Sequence, residues 1–156
     1  MSTSPLSPQV EFVFEARVKV GDPVLIGQTP RGERRMIPIL DGEFEGPGLR
    51  GRVLPGGADW QVLRSDGVAE LLAIYILETD AGERIQVTNR GLRHGPPDVM
   101  ARLRAGERVD PSLYYFRAIP EFETGAPALQ WMNRTLFVAS GERFPNLVLL
   151  RFWKLV

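Results

Sequence analysis

Tyr115 and Arg117 stand two residues apart in a segment of alternating polarity, so they share one face of a predicted strand. A phenol and a guanidinium at this spacing can both hydrogen-bond a substrate carbonyl or carboxylate inside a barrel. Asn133 offers a neutral amide to a ligand oxygen and shares a predicted strand face with Trp131. The alternative for Arg117 is a structural ion pair with an acid such as Glu121. Tyr115, Arg117 and Asn133 are therefore the hydrogen-bonding candidates for catalysis.

Several other kinds of chemistry lack the residues that they need. His94 is the single histidine, which excludes a multi-histidine metal site, and the absence of cysteine excludes thiolate nucleophiles and Cys-based metal sites. There is no G-x-S-x-G nucleophile motif. The glycines at 46–48 and 56–57 do not precede a helix, so they do not form a phosphate-binding loop. We therefore expect neither a metal nor a cofactor.

The elements that would position these side chains are short strands. Sixteen Gly and 13 Pro divide the chain into short segments, and residues 10–18 alternate in polarity as a half-buried strand does. Nine to eleven strands are predicted, and one of them covers Trp131–Ala139. One short helix is predicted at Asp98–Ala105. The pattern predicts an all-β fold, a single antiparallel barrel with a central cavity over residues 9–156, after a flexible tail over residues 1–8. A two-sheet sandwich is the alternative.

Composition limits the partners. The 19 basic and 19 acidic residues balance, and no long basic stripe is present, so nucleic acid is not an expected partner. The N-terminal sequence lacks the features of a secretory signal, and no apolar run approaches the roughly 20 residues of a membrane helix. We expect a cytoplasmic protein with no membrane partner, and a homo-oligomer is one possibility.

One segment, residues 69–79, is apolar on both faces. Every residue from Leu71 to Leu77 is apolar, whereas a strand of an antiparallel sheet usually has one face in water. The second face, formed by Leu72, Ile74 and Ile76, therefore needs a dry environment. A ligand cavity, a partner chain and additional core each supply one.

Five local motifs together resemble the DUF3237 (UPF0311) family of small bacterial proteins, over about residues 9–156. They are LRGRVLPGGADWQVLRSDG (49–67), LETDAGERIQVTNRGLRHGP (77–96), YYFR (114–117), FETGAP (122–127) and WMNRTLFVASGER (131–143). The resemblance implies an antiparallel β-barrel with a central cavity and implies little about activity. Against a family pattern similar to ELDARYTLET, Leu72 replaces an acid, Ile74 an arginine and Ile76 a hydroxyl residue.

These replacements predict that a polar lumen has become apolar, since three side chains of this size on one face favour an apolar guest over water. The expected substrate-binding residues are Trp60, Leu72, Ile74, Ile76, Ile119, Trp131 and Met132. The expected function is a cofactor-independent cyclase of the cycloaddition type, or an isomerase, acting on a hydrophobic, polyketide-like polyene. The alternatives are a lipocalin-like binding protein for a hydrophobic small molecule and a structural or oligomerisation module.

Overall fold

The computed structural model describes residues 3–156, and the predicted tail therefore lies partly outside the described residues. The chain forms ten strands and one α-helix, with 3-10 segments at Pro111–Leu113 and Pro127–Arg134. The strands are β1 (Val10–Val20), β2 (Val24–Thr29), β3 (Gly32–Glu45), β4 (Arg50–Val53), β5 (Gly57–Leu63), β6 (Ala69–Thr79), β7 (Arg84–His94), β8 (Tyr115–Thr124), β9 (Phe137–Phe144) and β10 (Leu147–Leu155), and the helix is α1 (Pro97–Arg104).

The strands close into an eight-stranded antiparallel barrel, as predicted, and not into a sandwich. Closure depends on β1, which pairs with β10 on one side and with β3 on the other. β4 and β5 follow each other along one position of the barrel, because both pair with β3 and with β6. β2 pairs with the first half of β3 beyond the segment that β1 occupies.

One half of the barrel is filled by aromatic and aliphatic side chains. Phe14 is fully buried and stacks on Phe152 with ring centroids 4.4 Å apart. Phe44 and Phe122 meet the same ring edge-on at 5.4 and 5.7 Å. Met132 is buried in the same core. Rings packed at these distances fill the interior of this half of the barrel.

The other half contains a cavity of about 210 Å³, and several inward positions beside it carry small residues. Ala73 and Ala118 line the cavity together with Gly91. A β-carbon at Gly91 would lie 2.8 Å from the Arg117 carbonyl oxygen and 3.0 Å from the Ala118 β-carbon, so glycine is needed where these strands approach closely. The close approach of β7 and β8 beside the cavity thus depends on this glycine.

The helix α1 lies at the cavity end of the barrel. Pro97 begins the helix, Asp98 lies in its first turn, and Gly106 follows its end with φ +82°. Leu103 and Arg104 line the cavity, as do Phe144–Asn146 of the β9–β10 turn. These segments surround the open end of the lumen. No helix within residues 3–156 is long and apolar enough to cross a membrane.

One predicted strand is wrong over more than half of its length. Residues 131–134 belong to the 3-10 helix that begins at Pro127, and β9 begins only at Phe137. A proline fixes φ near the value of the first helical turn, and the GAP sequence before the segment favours a turn over a strand. Trp131 and Asn133 therefore do not share a strand face.

Candidate active site in the barrel lumen

Asp59 and Asn89 project into the cavity at the same level of the barrel. Asp59 on β5 is the register partner of Ala73 on β6, and Ala73 is the partner of Asn89 on β7. Two strand spacings separate the backbones of Asp59 and Asn89 by roughly 10 Å. Because the side chain between them is only a methyl group, the two polar groups face a gap that a guest molecule can occupy.

A short chain of hydrogen bonds orients the Asp59 carboxylate. Arg35 Nε donates to Gln61 Oε1 at 2.8 Å, and Gln61 Nε2 donates to Asp59 Oδ2 at 2.7 Å. The backbone N–H of Leu72 donates to Asp59 Oδ1 at 3.1 Å. Both carboxylate oxygens are therefore held, and one is connected through an amide to a cation.

The pKa of Asp59 is raised above the ordinary value for an aspartate. Burial raises the pKa because a charged carboxylate is poorly solvated inside the barrel. The hydrogen bond from Gln61 and the positive charges of Arg93 and Arg35 act in the opposite direction, and burial outweighs them. Raising the pKa of a carboxyl group toward the working pH suits it to accept and return a proton.

Arg35, Arg93 and Arg143 line the cavity with this single carboxylate, and Arg104 of α1 joins them. Arg93 is 3% exposed and its guanidinium lies over the Phe116 ring, 5.3 Å from the centroid. Burial, aided by the charge of Arg143, lowers the pKa of Arg93 to about 10, so the side chain stays cationic at neutral pH. Burial also lowers the pKa values of Arg35 and Arg143. Within residues 3–156, none of the three arginines forms an ion pair shorter than 4.0 Å.

Three buried polar atoms in the lumen have no hydrogen-bond partner among the described residues. They are Tyr75 Oη, Asn89 Oδ1 and Arg93 Nε, and all three residues line the same cavity. A buried polar group without a partner costs about 1–3 kcal/mol. Burial and the Asp59 charge raise the pKa of Tyr75, so its phenol stays protonated and remains a donor. The lumen thus presents two donors and one acceptor to a guest.

The predicted apolar residues do not line the lumen, and the prediction of which face of β6 points inward is wrong. Ile74 is 40% exposed on the outside of the barrel, Ile76 and Trp60 are similarly exposed, and Leu72 is the register partner of Trp60. Ile119 also lies on the outer surface. Side chains alternate along a strand, so the inward face of β6 carries the other set, Leu71, Ala73, Tyr75 and Leu77.

The predicted hydrogen-bonding residues also lie outside the cavity. Tyr115 stacks on His94 at the surface, with ring centroids 4.9 Å apart. Arg117 is exposed and donates to the carbonyl oxygen of Phe116 at 2.9 Å. Asn133 Oδ1 accepts from the Thr124 N–H at 2.8 Å and its Nδ2 donates to the Thr124 carbonyl oxygen at 2.9 Å. These contacts give the three residues structural roles.

The last two expected wall residues lie at the filled end of the barrel. Met132 is 1% exposed within the aromatic core. Trp131 is half-buried, and the Lys154 ammonium lies 5.3 Å from its ring centroid. Neither residue lines the lumen cavity.

The sequence contains a pattern that indicates the lumen residues that the prediction missed. Ile85 and Val87 are the apolar positions of a strand whose other face is polar, so they must point inward. The turn between β6 and β7 pairs Leu77 with Ile85 and Tyr75 with Val87. The inward face of β6 therefore includes Tyr75, and the same parity carried to β5 turns Asp59 and Gln61 inward.

Replacing Ile74 by arginine distinguishes the outer face from the lumen. The side chain points away from the cavity, so we expect Ile74→Arg to change the free energy of unfolding by no more than about 0.5 kcal/mol. Ala73→Arg, one residue away, is the matched variant, and we expect it to fill the lumen with an unpaired charge and unfold the protein. Thermal melting followed by circular dichroism measures both, and unfolding of Ile74→Arg contradicts the assignment. Sedimentation of the same samples tests self-association, because a lower mass for Ile74→Arg would place a subunit seam on this face.

Two distant relatives come from the fungal genus Penicillium. The chain is 20% identical over 155 residues to a Penicillium herquei protein named "Hydroalkoxylation enzyme phnH", covering 99% of this chain and 89% of that protein. It is 24% identical over 145 residues to "PR-toxin biosynthesis cluster protein 7" of Penicillium roqueforti, covering 81% and 78%. A crystal structure of a Penicillium herquei enzyme has a TM-score of 0.75 at 19% identity over the whole of both chains, and therefore shares the fold.

Much closer relatives are bacterial. The chain is 44% identical over 142 residues to a UPF0311 protein of Rhodopseudomonas palustris, covering 91% of this chain and 93% of that protein. A crystal structure of a conserved Rhodopseudomonas palustris protein of unknown function has a TM-score of 0.94 at 41% identity, covering 97% and 100%. That of a β-barrel-like protein from Acinetobacter baumannii has a TM-score of 0.87 at 37% identity, covering 99% and 100%. The model of the family described as "Protein of unknown function (DUF3237)" matches residues 8–155, and the chain belongs to that family.

Proposed function

We propose that the protein is a cofactor-independent enzyme that closes a ring, or shifts a double bond, by moving a proton within a small unsaturated substrate held in the lumen. The observation that carries this proposal is the Asp59 carboxyl group, whose pKa is raised, facing a cavity that also exposes the unpartnered polar atoms of Tyr75 and Asn89. A proton acceptor, a donor and a second acceptor are the groups that such a reaction needs.

The ring closure is an addition of a substrate O–H across a carbon–carbon double bond conjugated to a carbonyl. Asp59 takes the hydroxyl proton as the oxygen bonds to the β-carbon of the substrate, and the π electrons move toward the carbonyl oxygen. The protonated phenol of Tyr75 donates to that oxygen, and Asp59 then returns the proton to the α-carbon. One C–O bond forms, one C=C π bond is lost, and the proton moves from oxygen to carbon, so no external oxidant or reductant is consumed.

The distant relatives support this class of reaction. Hydroalkoxylation is the addition of an O–H group across a carbon–carbon double bond, and the Penicillium herquei protein is named for this activity. The other Penicillium relative is named for a biosynthesis cluster.

Proton transfer accounts for the lumen better than cycloaddition does. The cycloaddition prediction depended on a cavity poor in acids and bases, whereas this cavity contains a carboxyl group, a phenol and several guanidinium groups. A cavity of about 150 Å³ accommodates benzene, so 210 Å³ suits one ring with substituents. A long polyene would therefore extend through the open end of the barrel.

A binding protein without turnover is the second candidate, and the unpartnered polar atoms support it equally. The two functions differ in one outcome only, which is whether the guest leaves the lumen chemically changed.

The experiment is to incubate the purified protein, without added cofactor, with ortho-hydroxyphenyl propenyl ketone, which closes to a methylchromanone. We expect faster closure than with heat-denatured protein, and an excess of one enantiomer, because the closure without a chiral environment is racemic. Isothermal titration with the same ketone reports binding separately. A racemic product formed at the background rate overturns the enzymatic proposal, and recovery of bound, unchanged ketone then favours the binding protein.

A further inference from the structure

We infer that the substrate of the lumen site carries a carboxylate, which Arg93 and Arg143 hold near the open end. This inference rests on the proposed function, since it names the substrate class for the same cavity. Four arginines, Arg35, Arg93, Arg104 and Arg143, line the cavity, whereas Asp59 is the single carboxylate in its lining.

The excess positive charge is not neutralised by the protein. Arg35 reaches Asp59 only through Gln61, and Arg93 and Arg143 form no ion pair within residues 3–156. Buried charges are ordinarily paired, because transfer of an ion out of water is costly. An arginine that is 3% exposed and lacks an anionic partner therefore indicates that a guest supplies the anion.

The position of Arg93 is suited to this role. It lies on β7, four residues beyond Asn89 toward α1, at the level where Phe116 is its register partner. The guanidinium lies over the Phe116 ring, and its Nε has no acceptor among the described residues. A guanidinium presents parallel N–H donors that match the two oxygens of a carboxylate. Asp59 and Tyr75 remain free to act on the other end of a bound molecule.

The remaining walls describe the other part of the substrate. Ile37, Leu71, Phe116, Val148 and Leu150 give the cavity an apolar lining around the polar groups. An apolar wall beside an arginine cluster selects a molecule with an unsaturated or aromatic body and an anionic end. Aromatic acids of one ring have this shape and fit the available volume.

The experiment compares matched anionic and neutral probes by isothermal titration calorimetry. Benzoate and benzamide have nearly the same shape and differ in charge, and trans-cinnamate and trans-cinnamamide form a second, longer pair. We expect each carboxylate to bind at least roughly tenfold more tightly than its amide, as hydrogen bonds to charged groups provide. Arg93→Met and Arg143→Met keep the length of the side chain stem and should each reduce this preference. Arg17→Met, at an exposed position on the outer surface of β1, is the control that should keep it.

The outcomes separate this inference from the proposed function. Equal binding of acid and amide in both pairs, including undetectable binding of all four probes, overturns the anionic substrate class whether or not the ketone is cyclised. A preference for the acids that both methionine variants retain overturns the assignment to these arginines. A preference that the variants reduce supports the inference even if no ring closure is found, because binding is measured without turnover.

Discussion

Asp59→Asn is expected to lower kcat/KM for ring closure by about a hundredfold to ten-thousandfold, the usual contribution of a general acid or base. Asparagine keeps the shape of the side chain and an acceptor for the Leu72 N–H, but it cannot take up the substrate proton. Initial rates with the hydroxyphenyl ketone measure the loss. Asp66→Asn is the matched control, since Asp66 is an exposed carboxylate paired with Arg64 in the turn before β6. An Asp59→Asn variant with the wild-type rate contradicts the role of Asp59.

Asp59 and Asp66 are expected to change the free energy of unfolding in opposite directions as the pH rises. Because burial raises the pKa of Asp59 in the folded state, the folded protein holds that proton more tightly than the unfolded chain does. The stability that this group contributes is therefore complete at acid pH and declines as the pH rises from the unfolded pKa through the folded one, by at most about 1.4 kcal/mol per pH unit. Wild type should lose stability relative to Asp59→Asn over that window. The Arg64 hydrogen bond lowers the pKa of Asp66 to about 2, so its contribution is lost only as the pH falls toward 2. Urea unfolding across pH measures both, and a difference between wild type and Asp59→Asn that is constant with pH contradicts the raised pKa.

Phe14→Ala is expected to reduce the free energy of unfolding by about 3–5 kcal/mol. Phe14 is fully buried, and its ring contacts those of Phe44, Phe122 and Phe152, so truncation leaves a cavity lined by three aromatic rings. Chemical denaturation measures the loss.

Phe12→Ala is the control for that variant, because Phe12 is on the same strand but 43% exposed and contacts the ring of Trp153 at 6.1 Å. We expect a loss of no more than about 1 kcal/mol for this surface position. Similar losses for the two variants would show that the aromatic cluster does not dominate the stability of the barrel. Neither residue lines the lumen, so the folded fraction of both variants should bind benzoate as wild type does.

The fold could be predicted from the sequence because its signals are local. Alternation over residues 10–18, the turns rich in Gly and Pro, and the proline before α1 each fix an element from a few neighbouring residues. The 3-10 helix at residues 127–134 was missed because no Gly or Pro separates residues 131–134 from the strand-forming residues at 135–139, and Pro127 lies outside that window. The error thus arose because two short-range signals, one for a strand and one for a helical turn, compete in this segment.

The prediction of the site failed for a different reason, which is that it took the wrong face of β6 to point inward. Both faces of β6 are apolar, so the strand by itself does not indicate which face points inward. The differences from the family pattern at Leu72, Ile74 and Ile76 drew the prediction to the face that the barrel turns outward. Reading the face from β7, where the polarity is unambiguous, would have placed Tyr75 in the lumen. The unpaired state of Arg93 and the void beside Ala73 depend on several strands at once, and no single segment encodes them.

The residues that stabilise the barrel and the residues that line the candidate site lie in different halves along the barrel axis. Its aromatic half fixes the strands, while small residues and a few long polar side chains surround the void in the other half. Exchanging Ala73, Gln61 or Asn89 would therefore change which molecule is accepted without touching the rings that hold the scaffold together. We therefore expect a laboratory library that is confined to those inward positions, and to uncharged side chains that fit the void, to retain a high proportion of well-folded members.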